Sequence, residues 1–188
     1  MEQQIERSKV HVRWIVAGAL FLAVAYLKRQ GQITIPWSTI LALTAGVAAL
    51  NVVYGRILRG GAPSWLKFLT TGTDLMLLSA LVFFTGGSGS VFYFAYFIVL
   101  VSNSIRYGMA LALYVATIYN LTYVGVLLVA PPAGDLTVEA VKILAFWGVA
   151  LYAGYLAMRF QRQARILESY EETIAGLRAE LASTRPAK

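Results

Sequence analysis

An all-α integral membrane protein, a six-helix bundle prolonged into a cytoplasmic coiled-coil helix, is the fold that three observations predict. The 188 residues are 59% hydrophobic and 13% charged, with a mean hydropathy of +0.66. A soluble domain of this length buries too small a share of its surface to hide so many apolar side chains, which makes lipid the expected solvent. The apolar residues also fall into six runs parted by short turns, and after Met158 the composition switches at once to charged and heptad-patterned.

The runs cover residues 12–27, 36–54, 65–84, 91–105, 109–130 and 138–158, each near the ~20 residues that span a bilayer core, the fourth being the shortest. Their breaks are punctuated in ways that reverse a helix. Pro36 suits a first helical turn, "RGGAPSW" and "TGGSGS" are turns, and "APPAGDLT" parts the fifth run from the sixth. Connections this short make sequence neighbours antiparallel.

Lys and Arg are unevenly shared between the two ends. One end collects Arg7, Lys9, Arg13, Arg56, Arg59, Lys67, Arg106, Arg159, Arg162 and Arg165, and the other only Lys28, Arg29 and Lys142. The positive-inside rule then places both termini of a multi-pass protein in the cytoplasm. Asp135, Glu139 and the "TGGSGS" turn face outward. The amino end mixes acids with bases and lacks a small-residue cleavage site, so it reads as an uncleaved first helix rather than a secretory signal.

The net charge of +7 follows this topology rather than forming one patch, which argues against nucleic acid as a partner. With no cysteine and one histidine, His11, metal centres and thiol chemistry are not expected. No His/Asp pair or paired carboxylates mark catalytic residues.

Polar residues inside the runs are the candidates for function. Asp74 lies mid-way along the third run, where an ionised carboxylate must be paired, protonated or open to water. Asn51, Asn103 and Asn120 come to comparable depths on other runs, which predicts a polar cluster that either fixes helix packing or forms a ligand pocket. Tyr119 and Tyr123 share a face without a nearby acid, so they either anchor the interface or line a flat apolar cavity. Ala150 with Gly154, and Ala153 with Ala157, are spaced for close helix approach to a neighbour or to a second copy of the chain.

From residue 161 the chain reads as a separate signalling helix. Phe160, Leu167, Ile174 and Leu181 fall at heptad position a, and Tyr170 and Leu177 at d, with Glu168, Glu171, Glu172 and Glu180 beside them. That is the pattern of a parallel homodimeric coiled coil continuous with the sixth helix. A membrane-surface helix would carry a basic polar face instead.

The stretch "TDLMLLSALVFFTGGSGSVFYFAYFIVLVSNSIRYGMALALYVATIYNL" resembles the membrane input region of bacterial six-helix sensor histidine kinases, the group that includes the type IV pilus sensor and the redox-responsive sensors of photosynthetic bacteria. The shared features are an Asp within the third crossing, a Gly-Gly turn at its outer end, and an aromatic-rich fourth helix. In the redox-responsive members the turn reads Gly-Gly-x-x-Asn-Pro-Phe and is associated with quinone. Gly86, Gly87 and Phe92 match it, while Ser90 stands for Asn and Val91 for Pro, exchanges expected to remove a hydrogen-bonding side chain and the stiffness of the turn.

The resemblance implies a sensor module over residues 1–160 and a signalling helix over 161–188, leading to an output domain beyond Lys188: a histidine kinase core with its response regulator, a GAF or PAS domain before it, or a cyclic-dinucleotide enzyme. Asp74, Gly86, Gly87, Ser90, Phe92, Asn103, Tyr119, Asn120 and Tyr123 become the sensing candidates, with quinone or lipid as the only ligand classes in view. The competing reading is a small transporter or channel, for which six helices with one central acid and no pair of interrupted helices offer a poor path. A lipid-modifying enzyme lacks the side chains for the chemistry.

Overall fold

The computed structural model describes residues 2–59, 61, 63–132 and 134–183, and among these the side chains from 12 to 177. The described chain is helical, without a strand. Six α-helices run in order as α1 (Glu2–Arg29), α2 (Trp37–Arg59), α3 (Leu66–Phe84), α4 (Ala95–Tyr107), α5 (Met109–Val129) and α6 (Leu136–Ser183), with 3₁₀ turns over Gly87–Gly89 and Val91–Phe94 between α3 and α4. The side chains of His11 and Leu181 lie outside the described residues.

α2, α3, α5 and α6 are long and apolar enough to cross a membrane, and Val91–Tyr107 is apolar but shorter. Their outer surfaces bear Leu41, Leu121, Leu128 and Leu144, all more than half exposed, as befits a multi-pass protein whose periphery meets lipid tails. The short fourth run opens as a 3₁₀ turn, so its α-helix has only 13 residues.

Helix ends follow local chemistry. The carbonyl of Pro36 accepts the N–H of Thr39 and of Ile40, so the proline opens α2 where its own missing N–H costs nothing. α4 and α5 are joined through Gly108 alone, which takes φ +83°, a conformation open to glycine.

α3, α4, α5 and α6 pack around one core in which Leu75, Val82, Tyr96, Tyr119, Tyr123 and Phe146 are fully buried. α1 and α2 pack chiefly on each other and join the other four as a hairpin. α6 packs tightly on α5 at Gly154. A Cβ on Gly154 would lie 3.2 Å from the Met109 Cα and 3.2 Å from the Ala112 Cβ, and Ala150, Ala153 and Ala157 are buried on that side. The small-residue spacing on α6 therefore serves an intrachain contact, with no surface left there for a second copy.

α6 is unbroken over 48 residues, about 72 Å at 1.5 Å per residue. That is more than twice the ~30 Å of a hydrocarbon core.

Candidate functional site

The glycine turn is built from backbone demands. α3 ends where the Thr85 N–H and hydroxyl both donate to the Leu81 carbonyl. Gly86 and Gly87 then take φ +118° and +61°, left-handed values that a Cβ penalises. Ser90 closes the turn: its Oγ accepts the Phe92 N–H at 3.1 Å and lies 2.5 Å from the Thr85 hydroxyl. The serine thus supplies the capping acceptor whose loss the exchange of Asn for Ser predicts, and Phe92 is buried beneath it.

This turn is tied to α6. Lys142 Nζ donates to the Ser88 carbonyl at 2.8 Å and to both carboxylate oxygens of Glu139, at 3.0 and 3.2 Å. Glu139 is only 5% exposed, and the Tyr123 hydroxyl donates to its Oε2 at 2.5 Å. Desolvating a carboxylate this far is tolerable only with such partners. Lys142 also lies 5.3 Å from the centre of the Tyr93 ring.

Behind the charge pair stands an aromatic block. Tyr93 and Tyr119 share a hydroxyl–hydroxyl hydrogen bond of 2.5 Å, the Tyr96 hydroxyl donates to Ser79 at 2.8 Å, and Tyr119 stacks on Phe146 at 3.8 Å and on Tyr123 at 5.2 Å. Tyr119 and Tyr123 are therefore packed solid with an acid beside them, rather than lining a flat apolar cavity. The block locks α4, α5 and α6 together behind the turn.

Asp74 belongs to a different place. Arg13 Nη2 lies 2.5 Å from its Oδ1, and the same guanidinium stands 4.6 Å from the centre of the Tyr54 ring, whose hydroxyl pairs with Thr73 at 2.8 Å. The central carboxylate is thus ion-paired, and the pair holds the α1–α2 hairpin to α3. Asn103 accepts from Thr71 at 3.1 Å and donates to the Val99 carbonyl at 2.8 Å. Asp74 and Asn103 line one cavity between the hairpin and the α3–α4 face.

Asn51 and Asn120 do not line that cavity. The buried Asn51 amide and the Asn120 Oδ1 have no hydrogen-bond partner among the described residues. Of the predicted polar cluster only Asp74 and Asn103 come together, at this cavity, while Asn51 and Asn120 stand apart from it; the charged group at the glycine turn is a second, separate site.

Sequence reasoning used Arg13, Glu139 and Lys142 only as markers of topology. Opposite charges three residues apart in the first turns of an apolar helix were the signal available for Glu139 and Lys142. Nothing local to Arg13 announces a partner sixty residues away. At the tail, Phe160, Leu167, Tyr170, Ile174 and Leu177 are all about half exposed or more.

Outside both sites, Asp135 precedes α6 and accepts the Thr137 N–H and hydroxyl, each at 2.8 Å. These donors hold its pKa below the ordinary carboxylate value. Among the described residues no three His, Cys, Asp or Glu side chains gather to hold a metal. No protein-family model matches the chain, and a search of the curated proteins and of the solved structures finds no match to it.

Proposed function

We propose that the chain is the membrane input module of a signal-transducing protein. Six helices cross a bacterial cytoplasmic membrane with both termini inside, and two copies pair through the tail of α6 to drive a cytoplasmic output, a histidine kinase core with its response regulator by the resemblance above. One observation carries this reading: Lys142, which grips the glycine turn through the Ser88 carbonyl, stands on the same unbroken helix as the heptad stripe of the tail. A displacement of the turn would rotate or slide α6, and a coiled coil converts such a movement into a change of register. The half-exposed Leu167, Tyr170, Ile174 and Leu177 form the apolar stripe that a partner helix covers.

The chain has no cysteine, so single cysteines can be placed along the tail without altering the background. In native membranes, oxidative cross-linking is expected to peak at positions 167, 170, 174 and 177 and to fall between them. A kinase core grafted after the tail is expected to switch its activity with one-residue insertions after Phe160. Uniform or absent cross-linking, or kinase activity indifferent to insertion, refutes the proposal; a transporter predicts solute uptake in proteoliposomes instead.

A further inference from the structure

The cavity between the α1–α2 hairpin and the α3–α4 face has a volume of about 240 Å³. Arg13 and Val24 both line it on α1, and Phe94 and Arg106 bound it on the other side. Eleven to twelve helical residues make the slot about 16–18 Å long, roughly half the hydrocarbon thickness of a bilayer. At the glycine-turn end its walls are Val24, Ile35, Ile40, Leu81 and Phe94, and at the other end Arg13, Asp74, Ser102, Asn103 and Arg106. It is open along one side, where Val16, Phe94 and Ile98 are exposed.

Among the described residues the charges at the polar end do not cancel. Asp74 is matched by Arg13, which leaves Arg106 as a second cation, half-buried at the mouth and with no ion pair among the described residues. An apolar slot of this length, closed at its polar end by one surplus guanidinium, has the chemistry of a site for one acyl chain carrying an anionic head. A neutral isoprenoid ring would have no use for that charge.

We propose that this slot binds one anionic phospholipid, with an acyl chain lying between the hairpin and α3–α4 and the headgroup phosphate on Arg106. The lipid completes the packing of a hairpin that otherwise touches the remaining helices sparsely, and its occupancy sets how firmly α1 and α2 are held. The assignment rests on the slot alone, whatever the chain signals.

The test is lipid retention by the purified full chain in neutral detergent, read by native mass spectrometry during titration with dioleoyl phosphatidylglycerol or dioleoyl phosphatidylcholine. One phosphatidylglycerol should be retained about five-fold better than phosphatidylcholine, the factor that one basic residue contributes at an anionic headgroup. Arg106→Gln should abolish that preference. Ala17→Trp, which fills the slot, should remove the first bound lipid of either kind, whereas Ala19→Trp, outside the slot on the same helix, should not. Equal retention of the two lipids by the wild type, or an unchanged preference in Arg106→Gln, overturns the proposal. So does a like effect of the two tryptophans with helicity intact; if Ala17→Trp loses helicity, the Arg106→Gln comparison decides.

Discussion

Replacing Lys142 with Met keeps the length of the side chain and removes its charge, which leaves Glu139 facing a hydrocarbon wall with one tyrosine donor. At the observed 3.0 Å, and with an effective dielectric near 20, the Coulomb attraction of the pair is about 5.5 kcal/mol. Desolvation offsets much of it, more for Glu139, whose side chain is 7% exposed, than for Lys142 at 25%. A net coupling of about 1.5–3 kcal/mol remains. Lys142→Met alone should cost about 3 kcal/mol, since it strands the carboxylate, and Glu139→Gln somewhat less. The double variant should be more stable than the sum of the two by that coupling. Reversible unfolding in mixed micelles by SDS titration measures all four corners of the cycle. Hydrogen exchange adds a local readout: amides of residues 86–90 should exchange faster in Lys142→Met, because the Ser88 carbonyl has lost its donor, and little changed in Glu139→Gln. Additivity within about 0.5 kcal/mol, with exchange in the turn unaltered, would refute the claim that this pair fastens the turn to α6.

Two further outcomes follow from the geometry. Asp135 holds its pKa low in the folded chain, so its capping of α6 is in force above the unfolded value of about 3.9 and fades as pH falls through the depressed folded value; Thr137 amide protection, corrected for intrinsic rate, should drop in acid to the level that Asp135→Ala shows at neutral pH. Gly154→Val drives a branched side chain into a gap where even a Cβ would lie 3.2 Å from the Met109 backbone, and it should lower stability by about 1–3 kcal/mol in the same SDS titration, whereas Gly125→Val, with open space around it, should fall within about 1 kcal/mol of wild type.

What the sequence disclosed and what it withheld divide along the range of the interactions. Helices and turns are governed by neighbours within a few residues, so Pro36, the paired glycines at 86 and 87, and the Arg and Lys at the ends of the apolar runs were enough to lay out six helices in order. The fourth, already the shortest, was started at Val91 because Val91 and Phe92 are apolar, yet Ser90 caps a 3₁₀ turn there and α4 starts only at Ala95. The site depends on which faces meet, and composition is silent on that. Tyr119 and Tyr123 looked remote from any acid because Glu139 is sixteen residues from Tyr123 along the chain, though 2.5 Å away in space. Asp74 advertised itself by the cost of its burial, but its partner Arg13 resembled every other basic residue at a helix end.

The distribution of rigidity in α6 bears on how the proposed relay would work. Near the glycine turn the helix is clamped three ways, by Lys142 on the Ser88 carbonyl, by Glu139 on Tyr123 and by Phe146 stacked on Tyr119. Further along, Gly154 is spent on contact with α5, and the Gly108 turn lies against Gln161, whose Oε1 would be 3.3 Å from an added Cβ. Beyond that point the described helix is bare, and Gly176 costs it about 1 kcal/mol against alanine. An isolated helical tail of this length is marginal in water. A clamped input end joined to a marginal output end is the arrangement in which a small displacement changes the tail's pairing rather than being absorbed along the way, because the weakest contact in series yields first. Stiffening the tail would therefore bias the output without touching the turn, whereas loosening the Lys142 clamp would uncouple the turn from an output left otherwise intact.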